Sequence, residues 1–217
     1  MFDTQGLLIS LEGIDGCGKT TQAGMLQSKL EQQGIPFISV REPGGTAVGE
    51  DIRNLLLQSS YSMTINAELL LYMAARAELA EQVILPALLD GKNVLCDRFT
   101  DSTLAYQGYG HGADLQWIRQ LNHQASRGRQ PDLTILFDLS VKEAVQRRGT
   151  KVDRMESNDF YYHQRVRKGY LELACSEPYR FFVIDGSLSV EKQGLIVWQF
   201  VRNYIDNRSE TGTGDEF

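Results

Sequence analysis

Nowhere does the 217-residue chain carry an apolar run near the roughly 18 to 20 residues that a helix needs to span a bilayer. Its N-terminus lacks a basic segment followed by an apolar core, so no signal peptide is expected. Cysteine is scarce. Cys17, Cys96 and Cys175 are odd in number and widely spaced, which makes neither a disulfide framework nor a zinc pattern and fits a reducing cytoplasm. A surplus of positive charge is also missing: the formal net charge is −6 and the pI near 5.1, which argues against a general nucleic-acid binder. There is no internal repeat and no interdomain linker. With 42% hydrophobic content, the chain reads as one globular domain over residues 1–206, with a polar, flexible tail over 207–217.

What is present is sharper. Gly13-Ile14-Asp15-Gly16-Cys17-Gly18-Lys19-Thr20 fits the phosphate-binding pattern G-x-x-x-x-G-K-[ST]. The apolar run before it is a candidate strand, and Thr20-Thr21-Gln22 leads into a candidate helix. Gly13, Gly16 and Gly18 allow successive backbone N–H groups to point into one concavity, where they can hold phosphate oxygens. The positive end of the following helix adds to that field. Lys19 would meet the β/γ-phosphates of a nucleoside triphosphate, and the Thr20 hydroxyl would face Mg²⁺. Asp15 is unusual, since a carboxylate in a phosphate cradle repels the ligand, and it is expected to face a sugar hydroxyl of a second substrate. The chain lacks the guanine-reading Asn-Lys-x-Asp, and no Asp-x-x-Gly follows the loop, which excludes a GTPase-type switch.

Five short apolar runs, Leu7–Leu11, Pro36–Arg41, Asn93–Asp97, Leu133–Leu139 and Arg180–Ile184, read as strands of a parallel sheet covered on both faces. Helices are predicted between them. One covers Lys19–Gln33 and ends at Gly34; another covers Asn66–Asp90; a short one opens with the capping box Ser140–Glu143 and closes at Gly149. The alternation predicts an α/β fold, a doubly wound five-stranded parallel sheet flanked by helices, with ligands at the carboxyl ends of the strands.

A second cationic focus follows from the strand ends. Cys96-Asp97-Arg98 offers a carboxylate for Mg²⁺ and a planar fork for a phosphate. Arg41-Glu42-Pro43-Gly44-Gly45-Thr46 forms an exposed turn, and Arg53 lies just beyond it. From Arg147 to Lys168 seven basic residues face three acidic ones, a local surplus suited to a small anion. Two anion sites around one Mg²⁺ describe a phosphoryl transferase better than a hydrolase.

The phosphate loop with Asp15, the turn Arg41–Thr46, Tyr72-Met73-Ala74-Ala75-Arg76, Asp97-Arg98-Phe99 with Ala105-Tyr106-Gln107-Gly108, and Asp153-Arg154-Met155-Glu156 together resemble bacterial thymidylate (dTMP) kinases, from about Leu7 to Asp206. The resemblance implies the reaction ATP + dTMP → ADP + dTDP, a step towards dTTP, in a cytoplasmic homodimer. It implies that Gly13–Thr21 and Arg147 bind ATP, with Arg147 against the adenine. It places Asp97 at Mg²⁺ and Arg98 at the acceptor phosphate, with Glu42, Pro43 and Arg53 around it. Tyr72 would stack on thymine; Arg76, Thr103 and Gln107 would read the base; Tyr106 and Asp15 would meet the deoxyribose. A lid around residues 147–160 would bring Arg154, Arg148 and Lys151 to the transferred group. The acceptor phosphate, with a second pKa of about 6, is already a nucleophile, so no general base is required of the three histidines. The alternatives are a kinase for another monophosphate such as dUMP, and a non-catalytic nucleotide-binding regulator.

Overall fold

The computed structural model describes residues 6–58, 62–148 and 159–211. Its centre is five parallel strands in the order β2-β3-β1-β4-β5: β1 (Leu8–Glu12), β2 (Phe37–Arg41), β3 (Asn93–Asp97), β4 (Leu133–Asp138) and β5 (Phe181–Asp185). All five predicted strands are present, each within one residue of its expected ends. The three central strands are almost wholly buried, which is why they read as unbroken apolar runs; β2 and β5, at the edges, are half exposed.

Alternation along β1 sorts its side chains between two cores. Leu8 packs with Val94, Cys96, Leu79, Ile84, Leu88 and Phe99. Ile9 and Leu11 join the larger cluster, with Leu26 and Leu30 of α1 (Lys19–Gln32) and the strand residues Ile135 and Phe137. Each of these fully buried side chains contributes about 1.5–3 kcal/mol relative to exposure. The strand tips are level: Leu11 pairs with Asp97, and Asp97 with Arg41 on the other side.

Among the described residues the remaining α-helices are α2 (Ala47–Gln58), α3 (Ile65–Leu79), α4 (Leu85–Leu89), α5 (Thr100–Thr103), α6 (Leu115–Ala125), α7 (Val141–Arg148), α8 (Phe160–Ser176) and α9 (Val190–Thr211). Helix α1 stops where predicted, with the Gly34 N–H bonded to Glu31 O. At the start of α7 the Glu143 N–H bonds Ser140 Oγ at 3.3 Å, the serine half of the expected box, and the Glu143 carboxylate accepts from the Ser140 hydroxyl rather than from its backbone N–H. Two expectations change. The helix predicted over Asn66–Asp90 is three pieces: α3, a π-helical turn over Ala80–Ile84, and α4. Pro86 supplies the reason, since it lacks an N–H and its ring crowds the turn before it. The segment expected to fray from residue 207 instead continues α9 through Thr211.

Between α5 and α6 the chain forms a second π-helical stretch, Leu104–Gly110. Beneath it Asp101, with 0% exposure, receives two bonds of 2.8 Å from the Arg180 guanidinium and one of 2.9 Å from Thr134 Oγ1. This buried pair ties α5 to the starts of β4 and β5. Replacing Asp101 with Ala leaves Arg180 buried with Glu177 as its remaining carboxylate partner. The expected loss is about 3 kcal/mol of stability, read from urea unfolding of D101A against the parent.

Candidate active site

The phosphate loop bridges β1 and α1, and its glycines adopt left-handed backbone angles: φ is +139° at Gly13, +87° at Gly16 and +102° at Gly18. Gly16 is the most constrained, because a Cβ there would stand 2.3 Å from the Ala144 carbonyl oxygen. Lys19 Nζ donates to the Gly13 and Ile14 carbonyls at 3.0 and 3.1 Å, so the loop's own backbone holds its charge in place. Asp15 and Gly16 through Thr21 line a cavity of about 820 Å³. Gly13 and Ile14 do not: the Ile14 side chain, 3% exposed, packs in the core beneath the loop.

Strand order distributes the rest of the cavity. Towards the β2 edge it is lined by Arg41, Glu42, Pro43, Arg53, Tyr72, Arg76, Thr103 and Gln107. Towards the β5 edge lie Arg147, Gln22, Gln193 and the turn Ser187–Val190. Asp97, Arg98, Ser102 and Tyr106 stand between, beside the phosphate loop. One continuous cavity thus joins the two anion sites expected from the strand ends.

Arg98 is bonded through both of its terminal nitrogens. Its Nη1 donates to Gly13 O, Ser102 Oγ and Tyr170 Oη at 3.1, 3.1 and 3.2 Å. Its Nη2 donates to Asp15 and, at 3.1 Å, to the Tyr106 hydroxyl, whose ring lies 4.9 Å below the guanidinium carbon. The fork expected to face a phosphate is therefore turned onto protein acceptors. Tyr106 in turn donates to Asp15 Oδ2 at 2.9 Å. Burial alone would raise the Asp15 pKa, but Arg98, Lys19 and the Tyr106 hydroxyl reverse that and hold the carboxyl well below the usual range.

Arg76, expected to read the base, lines the cavity. It is 1% exposed, and its guanidinium bonds the Glu42 carboxylate, Thr103 Oγ1, Asn122 Oδ1 and Phe99 O. Burial pushes the Glu42 carboxyl up, and the adjoining guanidinium opposes the shift. Glu42 and Thr103 thus contact the cavity as parts of a closed network. Gln107 also lines the cavity and donates to Glu68 Oε1 at 2.8 Å. Arg53 Nη1 holds the Pro43 carbonyl at 2.8 Å.

The basic stretch from Arg147 to Lys168 is divided. Arg147 lines the cavity and donates to Gly186 O at 2.8 Å. Arg167 is paired with Asp138, Arg165 with the Gly110 carbonyl and Lys168 with Glu172, so these three support α8 rather than a ligand. The Arg148 side chain, Lys151 and Arg154 lie outside the described residues, as does most of the expected lid.

Among the described residues no group of three or more His, Cys, Asp or Glu is arranged to hold a metal. Thr20 and Asp97 both line the cavity, one hydroxyl and one carboxylate. That donor set suits Mg²⁺, which keeps several waters and binds through few protein oxygens together with substrate phosphates.

The sequence model of the family described as thymidylate kinase matches residues 11–194. The chain belongs to that family. The thymidylate kinase of Kosmotoga olearia is 48% identical over 210 residues, spanning 96% of this chain and 100% of that protein. That of Caldanaerobacter subterraneus subsp. tengcongensis is 44% identical over 202 residues, spanning 93% and 97%. The crystal structure of thymidylate kinase from Ehrlichia chaffeensis superposes with a TM-score of 0.75 at 36% identity, covering 91% of this chain and 98% of that one.

Sequence reading missed several residues of this thymidylate kinase-family site. Glu12 is fully buried at the tip of β1; an acid ending an apolar run just before the phosphate loop was the available signal. Ser102 and Tyr170 carry no such signal, because only folding brings α5 and α8 to Arg98. Gln22 and Gln193 brace the β5–α9 turn by donating to Val190 O at 2.9 Å, and to Gly186 O and Leu188 O at 3.0 and 2.8 Å. From the loop geometry, Gly16→Ala is expected to lower ATP affinity at least tenfold, since both the left-handed φ and the Ala144 carbonyl oppose it; calorimetric titration with ATP measures this.

Proposed function

We propose that this chain transfers the γ-phosphoryl group of ATP to dTMP, giving ADP and dTDP, as a single catalytic domain in the cytoplasm. The observation that carries the reading is the one cavity that joins the phosphate loop to the Arg98 cluster and the Tyr72 pocket; family membership agrees with it. ATP would lie over Gly13–Thr21, with its phosphates taking Lys19 from the loop carbonyls and its adenine towards Arg147. The acceptor would lie over Tyr72, its deoxyribose against Tyr106 and Asp15. The crowded Tyr106 side, 6% exposed, favours a sugar without a 2′-hydroxyl.

The incoming phosphate competes with Asp15 for the Arg98 fork, so docking and release of that ion pair are coupled. Thr20 and Asp97 would hold Mg²⁺, which when bound neutralises charge on the donor phosphates. The acceptor dianion attacks in line, and the chain's work is alignment and charge compensation by Lys19, Arg98 and the lid cations Arg148, Lys151 and Arg154. Tyr72 stacking would contribute about 1–3 kcal/mol to acceptor binding by analogy with base-stacking sites. Among the described residues no helix is long and apolar enough to cross a membrane.

ADP release with Mg-ATP against dTMP, dUMP, UMP, dCMP, dGMP and AMP tests the reading. Strong turnover with dTMP, weaker with dUMP and almost none with the rest is expected; a lead by dUMP would move the assignment to that acceptor, because a thymine methyl is worth only about 1–3 kcal/mol. Arg98→Ala should abolish most dTMP turnover while ATP binding survives. Leu70 is 51% exposed on α3, and Leu55 and Val48 are exposed on α2, which supports a homodimer through that face. Light scattering should give twice the 24.4 kDa chain mass, and Leu70→Asp should halve it.

A further inference from the structure

We propose that Glu12 is the positioning residue of Arg98, holding both its backbone turn and its guanidinium ready for the acceptor phosphate. The inference rests on the role given to Arg98 above. Glu12 does not line the cavity, so whatever it contributes to turnover passes through another residue. Its side chain is 0% exposed and shares the β1 face of Leu8 and Ser10.

Four donors converge on the carboxylate. Oε1 accepts from the Ser10 hydroxyl at 2.8 Å and the Phe99 N–H at 2.7 Å. Oε2 accepts from the Ser102 hydroxyl at 2.6 Å and the Tyr170 hydroxyl at 2.8 Å. The Phe99 bond fixes the peptide that follows Arg98, whose φ of +70° is a left-handed conformation that a side-chain-bearing residue seldom holds unaided. The other two bonds work by polarity. An ionised carboxylate can only accept, so it draws the Ser102 and Tyr170 hydroxyl protons towards itself and leaves their lone pairs facing Arg98 Nη1. The two hydroxyls lie 2.8 Å apart and both stand within 3.2 Å of Nη1, so they form one shelf for the guanidinium. Burial and then the Asp101 charge raise the Glu12 pKa, and the Arg98 charge with the Ser102 and Ser10 hydroxyls opposes that shift; it is the four converging donors that call for an accepting carboxylate.

Glu12→Gln keeps the shape but turns one acceptor into a donor. The expected result is a fall of roughly 100-fold in kcat for dTMP-dependent ADP release, with the calorimetric Kd for ATP essentially unchanged. In the Arg98→Ala background the same substitution should add little further loss, as a double-mutant cycle reads directly. Ser102→Ala combined with Tyr170→Phe, which spares the carboxylate, should cost about tenfold in kcat and again nothing once Arg98 is absent; this variant carries the test if E12Q does not fold. Multiplicative losses in the double variant, or ATP affinity falling in parallel with kcat, would overturn the inference. An impaired Arg98→Ala beside an unimpaired E12Q and shelf variant would overturn it alone. Normal turnover by Arg98→Ala would overturn the role of Arg98 and this inference with it.

Discussion

Charge compensation in a dry site is the constraint on which the cavity floor depends. Lys19 stands 3.9 Å from Asp15, Asp15 is bonded to Arg98, and Glu42 is bonded to Arg76. A buried ion left without a partner costs several kcal/mol, so each of these groups is held by an opposite charge before any ligand arrives.

The two halves of the cavity are stiffened differently. On the β2 side, Arg76 welds α3 to the turn at Glu42 and to Thr103, so the pocket around Tyr72 is a preformed wall. On the β5 side, side-chain amides of Gln22 and Gln193 hold turn carbonyls, a softer form of support. Between them the π-helical stretch Leu104–Gly110 presents Tyr106 and Gln107 to the cavity in succession, an orientation that the wider turn permits.

Local chemistry was legible in the sequence, and long-range partnership was not. The glycine spacing of the phosphate loop is a backbone requirement, and strands at the sheet centre must be apolar on both faces; both leave their mark in neighbouring residues. The place of Asp97 and Arg98 at the cavity was readable because a charged pair closing an apolar run stands at a strand tip. For Arg76, helical spacing from Tyr72 placed it at the cavity, but nothing local signals its partners Glu42 and Asn122, which come from distant elements. Arg165 and Arg167 were read as part of a basic patch, yet Gly110 and Asp138, remote in the chain, use them to dock α8. The π turns leave little trace in the sequence because they lengthen the hydrogen-bond spacing by one residue, a change that the apolar periodicity hardly registers.

The level strand tips make the site sensitive to chain length rather than to composition. Asp97 is aligned with Leu11 on one side and Arg41 on the other. Deleting one residue from β3 would shift that alignment and turn every following side chain to the opposite face; Asp97 would leave the cavity even though each amino acid of the site was still encoded. Conservative exchanges along Val94–Cys96 leave the alignment intact. Insertions and deletions within the central strands should therefore be strongly excluded over evolutionary time, and length variation should accumulate at the far end of α9, where no strand register is at stake.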